Sequence, residues 1–158
     1  MSSTSVKTFA STDPGASALS GTAGSQLAIV KTCLVDGRGA GAVATLVVAA
    51  GIATATYAAG HPFAVGSVGL FAGATPVELN GEKRILSVST TAVTFAAPGV
   101  ADGAATGSIT SKLAAAGWQQ LYAGTNLAAL KPSVVEATGC VLRIDDTGAL
   151  NARVRAFE

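Results

Sequence analysis

The segment VATLVVAAGIATATY, residues 43–57, decides the fold class because it holds two strand patterns around a glycine turn. Residues 43–48 are rich in Val and Leu, and Ala and Thr alternate through residues 52–57. Such alternation places every second side chain on one face of a strand. Ala49-Ala50-Gly51 lies between the two runs, so the segment predicts a β-hairpin.

Similar short runs continue on the C-terminal side of this hairpin. Residues 67–71, 82–88, 92–95 and 106–110 each have strand composition, and most of the connections between them contain glycine. Residues 75–81 interrupt the series as a loop or a short helical turn. Five or six strands at this spacing predict a small sandwich or barrel.

The N-terminal part of the chain has a different sequence pattern. Apolar and polar residues alternate over residues 6–9, which predicts a half-buried strand. A helix is predicted from a cap at Ser20 or Thr22 to about Val35, with Gly37 ending it. Its apolar positions recur at helical spacing at Leu27, Val30 and Leu34.

The C-terminal part predicts a second hairpin. Residues 141–144 and 151–157 have strand composition, and Asp145-Asp146-Thr147-Gly148 between them is typical of a turn. In the second strand, Val154 and Phe157 are expected to lie off the face that carries the arginines. The predicted helix and this hairpin flank the glycine-rich segment.

These patterns predict a mainly β protein, sandwich-like or barrel-like, with one N-terminal α-helix. We interpret residues 40–111 as a small β-module inserted into a discontinuous α+β host domain, residues 1–39 and 112–158. Neither part of the host contains enough large apolar residues for a core of its own, so the two parts are expected to fold together.

The charge content points to a protein that is covered by partners. Of 158 residues only 12% are charged, about half the usual share of roughly 25%. A surface with so few charges exposes apolar atoms, which usually marks contact with other proteins. The alternative is an uncharged Ala, Thr and Ser surface with no partner.

Several classes of partner are not expected. The net charge is +1 and the longest basic run is Lys83-Arg84, so nucleic-acid binding is unsupported. No apolar run has the roughly 20 residues needed to span a bilayer, and residues 1–5 lack the features of a signal peptide. Assembly in a cytoplasm is therefore expected. Cys33 and Cys140 are interpreted as buried thiols, although a disulfide between them stays open.

The residues that could support catalysis or metal binding have simpler interpretations. His61 is the only histidine, and a hydrolase would need it beside a carboxylate such as Asp145. Asp145-Asp146 is better explained as a turn, and Gly37-Arg38-Gly39-Ala40-Gly41 as a helix end and linker. We therefore predict no catalytic, cofactor-binding or metal-binding residues, and no enzyme activity.

Two residue groups are candidates for binding. Glu82, Lys83 and Arg84 form the only dense charge cluster, either as a solvated strand edge or as a contact to a neighbouring subunit. Trp118 and Tyr122 would share a face if they lay on a regular strand, as the platforms of sugar-binding proteins do. The alternative for these two aromatic residues is the core of the host domain.

Four segments resemble a family of tailed-bacteriophage virion structural proteins that are uncharacterised and carry an inserted small β-module. Three lie in the predicted host: residues 21–37, with Gly21-Thr22-Ala23-Gly24-Ser25 and Cys33-Leu34-Val35-Asp36-Gly37; residues 117–126, with Gly117-Trp118 and Gly124-Thr125-Asn126; and residues 142–154, with Leu142-Arg143-Ile144-Asp145-Asp146-Thr147. The fourth, residues 61–103, resembles the inserted module. Members of this group are often longer than a chain that stops at Glu158.

The resemblance implies a virion structural component that binds other virion subunits, in capsid decoration, the neck, the tail or fibre attachment. Its expected partners are capsid or tail subunits and further copies of itself in a symmetric homo-oligomer, with no nucleic acid, membrane or cofactor. The expected location is the virion, after assembly in the cytoplasm of the host bacterium. The alternative function is a carbohydrate-binding β-module that uses Trp118 and Tyr122.

Overall fold

The computed structural model describes residues 3–134 and 139–157, and these residues form two compact units. The larger unit contains residues 3–16 and 38–114, and the smaller unit contains residues 17–37 with the described part of 115–157. Residues 3–16 thus belong with the glycine-rich segment, whereas the sequence pattern predicts that they belong to the host. That residues 40–111 are an insertion stays a prediction.

The prediction of a mainly β protein with one N-terminal α-helix is confirmed. The described residues contain twelve strands in two antiparallel sheets and one seven-residue α-helix. None of the described helices has the length and apolar character needed to cross a membrane.

The larger unit is an eight-stranded sheet in the order β1-β8-β4-β5-β6-β3-β2-β7. Its strands are β1 (Arg38–Ala42), β2 (Thr45–Ala49), β3 (Ile52–Thr56), β4 (Val68–Ala72), β5 (Gly81–Val88), β6 (Ala92–Ala96), β7 (Gly103–Ala104) and β8 (Thr110–Leu113). A short 3-10 helix, Val77–Leu79, lies in the segment predicted as a loop or helical turn.

The predicted hairpin of residues 43–57 is confirmed as β2 and β3. Ala49 pairs with Ile52, and the two residues between them have positive φ angles of 49° at Ala50 and 74° at Gly51. This two-residue turn suits the right-handed twist of the strands. The alternation turns Leu46, Val48, Ala53 and Ala55 into the core.

The larger sheet curls because chain continuity brings its two ends together. The first half of β5 pairs with β4 and the second half pairs with β6, with a register shift between Ile85 and Ser87. Only residues 43–44 separate β1, at one end of the sheet, from β2 near the other end. The resulting half-barrel encloses a core that includes Tyr57, Phe63, Phe71, Leu79 and Phe95.

The N-terminal segment lies against this sheet without joining it. Residues 6–9 form no strand, so that prediction is wrong. Side chains hold the segment instead: Lys7 pairs with Glu82 at 2.9 Å, Asp13 pairs with Arg38 at 2.8 Å, and Phe9 packs against the core. Alternation alone did not distinguish an added strand from an extended segment fastened through its side chains.

The smaller unit packs one helix on a four-stranded sheet. The helix α1 (Ser25–Lys31) continues as a π-helical turn, Thr32–Asp36, close to the predicted end. The sheet order is β12-β11-β10-β9, with β9 (Trp118–Gly124), β10 (Leu127–Pro132), β11 (Val141–Asp145) and β12 (Arg153–Phe157). Its core is Ala128, Leu130 and Ile144, against which the predicted helix positions Leu27, Val30 and Leu34 pack.

The start of α1 differs from the prediction. The residue before the helix is Gly24, and neither Ser20 nor Thr22 caps the first turn with its side chain. The buried carboxylate of Asp146 accepts hydrogen bonds from the backbone N–H groups of Gln26 and Leu27, at 2.9 and 3.0 Å. An acidic group at this end of a helix also interacts favourably with its dipole.

Candidate protein-interaction surface

The predicted partner-binding residues Glu82, Lys83 and Arg84 lie on β5 and already have partners within the larger unit. Besides the pairing of Glu82 with Lys7, Lys83 Nζ donates a hydrogen bond to the Glu78 carbonyl at 2.7 Å. Partial burial of Lys83 lowers the pKa of its ammonium group. Residues 82–84 pair with β4 on one side, whereas β6 pairs with β5 only from Ile85 onwards, so the cluster lies on a stretch of β5 with one neighbouring strand. The strand-edge position agrees with the sequence, but the side chains bond to other parts of the unit.

Arg84 fastens the N-terminal segment to the sheet. Its Nε donates to the Ser3 carbonyl at 3.0 Å, and its guanidinium also donates to the carbonyls of Val6 and Gly66. The three charged residues line one side of a groove of about 860 Å³ that Pro98 and Val100 also border. Contact between this cluster and another subunit stays a prediction.

Trp118 and Tyr122 lie on β9 but do not share a face. Gln120 and Tyr122 pair with consecutive residues of β10, so Leu121 is an extra residue in the ladder. A bulge of this kind shifts the alternation by one position. Trp118 packs against the small core, whereas Tyr122 is 55% exposed. The shared aromatic platform expected from the spacing is not formed, and carbohydrate binding stays an untested prediction.

Both ring nitrogens of His61 have hydrogen-bond partners. Nε2 lies 2.8 Å from the Ser89 carbonyl, and Nδ1 accepts a hydrogen bond from the Phe63 backbone N–H at 3.2 Å. The ring also lies 5.3 Å from the Tyr57 ring, centroid to centroid. These contacts give His61 a structural role in the loop after β3, and its partner in the hydrolase hypothesis, Asp145, lies in the other unit.

Asp145 and Asp146 have separate structural roles at the end of β11. The Thr147 hydroxyl donates to Asp145 Oδ1 at 2.8 Å, which is the local turn bonding that the sequence predicts. The connection to β12 is longer than expected, because β12 begins at Arg153 instead of residue 151. In the described part of the chain, no group of three or more His, Cys, Asp or Glu residues could hold a metal ion.

The glycine-rich segment after the helix is a strand and not a linker. Gly37 ends the π-helical turn with a φ angle of 71°, and Arg38–Ala42 form β1, which pairs with β8. At Gly39, φ is 65° and an added Cβ would lie 2.5 Å from Pro62 Cγ, so only glycine fits. Cys33 and Cys140, expected to be buried free thiols, are half-buried, and no disulfide joins them.

Arginines from two neighbouring strands lie on one face of the smaller sheet. Arg143 on β11 lies directly opposite Arg155 on β12, and Asp145 lies opposite Arg153. The four side chains border a cavity of about 140 Å³. Hydrogen bonding from Thr147 is the main cause that lowers the pKa of the Asp145 carboxyl, and the charges of Arg143 and Arg153 lower it further.

The strand β12 forms an open edge of this sheet. It pairs only with β11 among the described strands, and all five of its residues are exposed. Val154 is 47% exposed on the face away from the arginines, whereas Phe157 follows the alternation of Arg153 and Arg155 onto the arginine face. The expectation that Phe157 lies off that face is wrong. The opposite edge, β9, carries the bulge, which hinders strand addition.

The open edge is the surface that sequence reasoning missed. The sequence shows the alternation of Arg153, Val154 and Arg155, but it does not show that β12 pairs with β11 alone among the described strands. Comparison with known proteins adds no further constraint: no family model, curated protein or solved structure matches this chain.

Proposed function

We propose that this protein is a structural subunit of a tailed-phage virion and that it acts by binding other virion subunits. The observation that carries the proposal is β12, an edge strand that is exposed along its whole length and has no outer neighbour among the described strands. Exposed edges of this length are ready to pair with a strand from another chain.

The expected strength of such a contact fits an assembly of many copies. A partner strand along β12 would add about four to six main-chain hydrogen bonds, each contributing roughly 0.5–1.5 kcal/mol net. The loss of translational and rotational freedom on association offsets much of this gain. A single contact is therefore weak, whereas repetition around a symmetric particle gives a firm attachment.

Two features of the sequence support the virion setting. The charged fraction of 12% leaves a large uncharged surface that subunit contacts can cover. The segments at residues 21–37, 117–126 and 142–154 resemble tailed-phage structural proteins. The proposal includes capsid decoration, the neck, the tail and fibre attachment, with location in the virion and symmetric copies of the chain as neighbours.

The test is whether the chain is built into particles. Particles are banded on a density gradient from lysates of the bacterial host, and their proteins are quantified by mass spectrometry. We expect the chain in the particle band at a fixed ratio to the major capsid protein, and cross-links that join residues 153–157 to a neighbouring subunit. A chain found only at the top of the gradient, with complete particles below it, contradicts the proposal.

A further inference from the structure

We propose that the outer edge of β12 binds an extended segment of another protein whose side chains alternate between acidic and apolar. The inference deepens the proposed function, because it takes β12 as the docking edge and specifies the chemistry of its partner. It depends on how the arginines are placed around that edge.

The arginine face of the smaller sheet is electrostatically unbalanced. Arg153 has a carboxylate opposite it, Asp145, but Arg155 has Arg143 opposite it. Arg143 Nη2 lies 3.6 Å from Asp145 Oδ2, and no ion pair to Arg155 occurs among the described residues. Two like charges directly opposite each other destabilise a sheet. A bound anionic group beside Arg155 would remove this repulsion.

A partner strand is the geometry that brings an anionic group there. Residues directly opposite each other on paired strands have their Cβ atoms about 5 Å apart, and they point to the same face. A residue beside Arg155 on an added strand would therefore project onto the arginine face, where a Glu or Asp carboxylate can accept paired hydrogen bonds from the guanidinium. Two positions away, a second acidic residue would meet Arg153.

The opposite face of β12 determines which side chains suit the partner strand at the positions between its acidic residues. Val154 is 47% exposed there, so an apolar side chain on the added strand would cover it. Successive residues of a strand point to opposite faces, and the partner pattern follows as acidic, apolar, acidic.

Two other occupants fit less well. A second copy of β12, paired antiparallel along its full length, would place Arg155 opposite Arg155, and this repulsion disfavours self-pairing at the edge. Nucleic acid is recognised through rows of phosphate contacts, whereas this face is compact and includes the carboxylate of Asp145. The observations therefore favour an acidic peptide segment.

The test uses the full chain and the acetylated, amidated peptide Thr-Glu-Val-Glu-Val-Glu-Thr. Binding is followed by ¹⁵N chemical-shift changes, with the Gln-for-Glu peptide and a single-stranded oligothymidine as comparison ligands. We expect saturable shifts centred on residues 153–157 with the acidic peptide, weaker at about 500 mM than at about 50 mM NaCl. Arg155→Gln should weaken binding about two- to fivefold, as for a partly exposed ion pair.

Lys31→Gln is the matched control, because it removes one positive charge from the helix of the same unit and should leave the affinity unchanged. The double variant Arg153→Glu/Arg155→Glu should prefer the Lys-for-Glu peptide, with its fold checked by the dispersion of the same spectra. If this variant does not fold, Arg155→Gln still decides the matter.

Equal binding of the Gln and Glu peptides, equal loss in Lys31→Gln and Arg155→Gln, or tighter binding of the oligonucleotide would overturn the inference. These outcomes are separable from failure of the virion proposal. Incorporation into particles without acidic-peptide binding refutes only the partner chemistry, and acidic-peptide binding without incorporation refutes only the virion role.

Discussion

Replacing Asp146 by Ala should destabilise the smaller unit selectively. This side chain is 4% exposed, and Oδ2 accepts the hydrogen bonds from Gln26 and Leu27 at the start of α1. The backbone of Asp146 adds two more links, since its N–H donates to the Asn126 carbonyl at 2.8 Å and its carbonyl accepts from Gly24 at 2.9 Å. The substitution removes the side-chain cap and leaves these backbone links in place.

The expected loss in the free energy of unfolding follows from the two hydrogen bonds that Asp146→Ala removes. Hydrogen bonds to a charged group contribute about 1.5–3 kcal/mol each, and removal of the buried carboxylate returns part of this by relieving its desolvation. Substitutions at helix caps cost about 0.5–2 kcal/mol, but this cap also joins two segments of the unit. We expect Asp146→Ala to lower the free energy of unfolding by about 2–3 kcal/mol, and Asp146→Asn, which keeps an oxygen acceptor, by about 1 kcal/mol.

Urea unfolding followed by Trp118 fluorescence measures this change. Trp118 is the only tryptophan in the chain and packs against the core of the smaller unit, so it reports on that unit. Asp145→Ala is the comparison variant, because the neighbouring carboxylate makes turn bonds to Thr147 and a partly exposed ion pair with Arg143, and its loss should lower the midpoint much less. A loss below about 0.5 kcal/mol in Asp146→Ala, or equal losses in both variants, would refute the reasoning.

Three further predictions concern single contacts. Tyr57→Phe should cost about 1–2 kcal/mol in chemical denaturation, because it leaves the buried Ser111 hydroxyl without its 2.9 Å partner, and adding Ser111→Ala should recover part of the loss. Burial raises the pKa of Tyr57 in the folded protein above 10.0, the ordinary value. The free energy of unfolding that depends on the neutral phenol is therefore fully present below pH 10.0 and is lost as the pH rises through the folded-state pKa. The Phe variant should lack this decrease in stability at alkaline pH. Thr147→Val should raise the lowered pKa of Asp145 towards its ordinary value of 3.8, which NMR titration would measure. The lowered pKa contributes stability that is present above pH 3.8 and lost as the pH falls through the folded-state pKa, and the variant should have less of this stability. Arg84→Ala should release the N-terminal segment and speed tryptic cleavage within it by about tenfold, and an unchanged rate would contradict the clamp.

The elements whose signals are local follow from the amino-acid sequence alone. The hairpin of β2 and β3 follows from alternation around Ala50-Gly51, and the helix positions Leu27, Val30 and Leu34 follow from helical spacing. These features depend on the φ and ψ preferences of neighbouring residues and on which side chains share a face, and both are set within a few residues.

Tertiary structure alone decided the features that depend on pairing between distant segments. The bulge at Leu121 separates Trp118 from Tyr122, because an extra residue in one strand is defined only by its partner strand. Asp146 caps a helix about 120 residues earlier in the chain, a contact that no local pattern could indicate. Arg143 meets Arg155 only through the register of β11 and β12. Strand register and tertiary capping depend on packing throughout the core, so no single segment of the sequence predicts either of them.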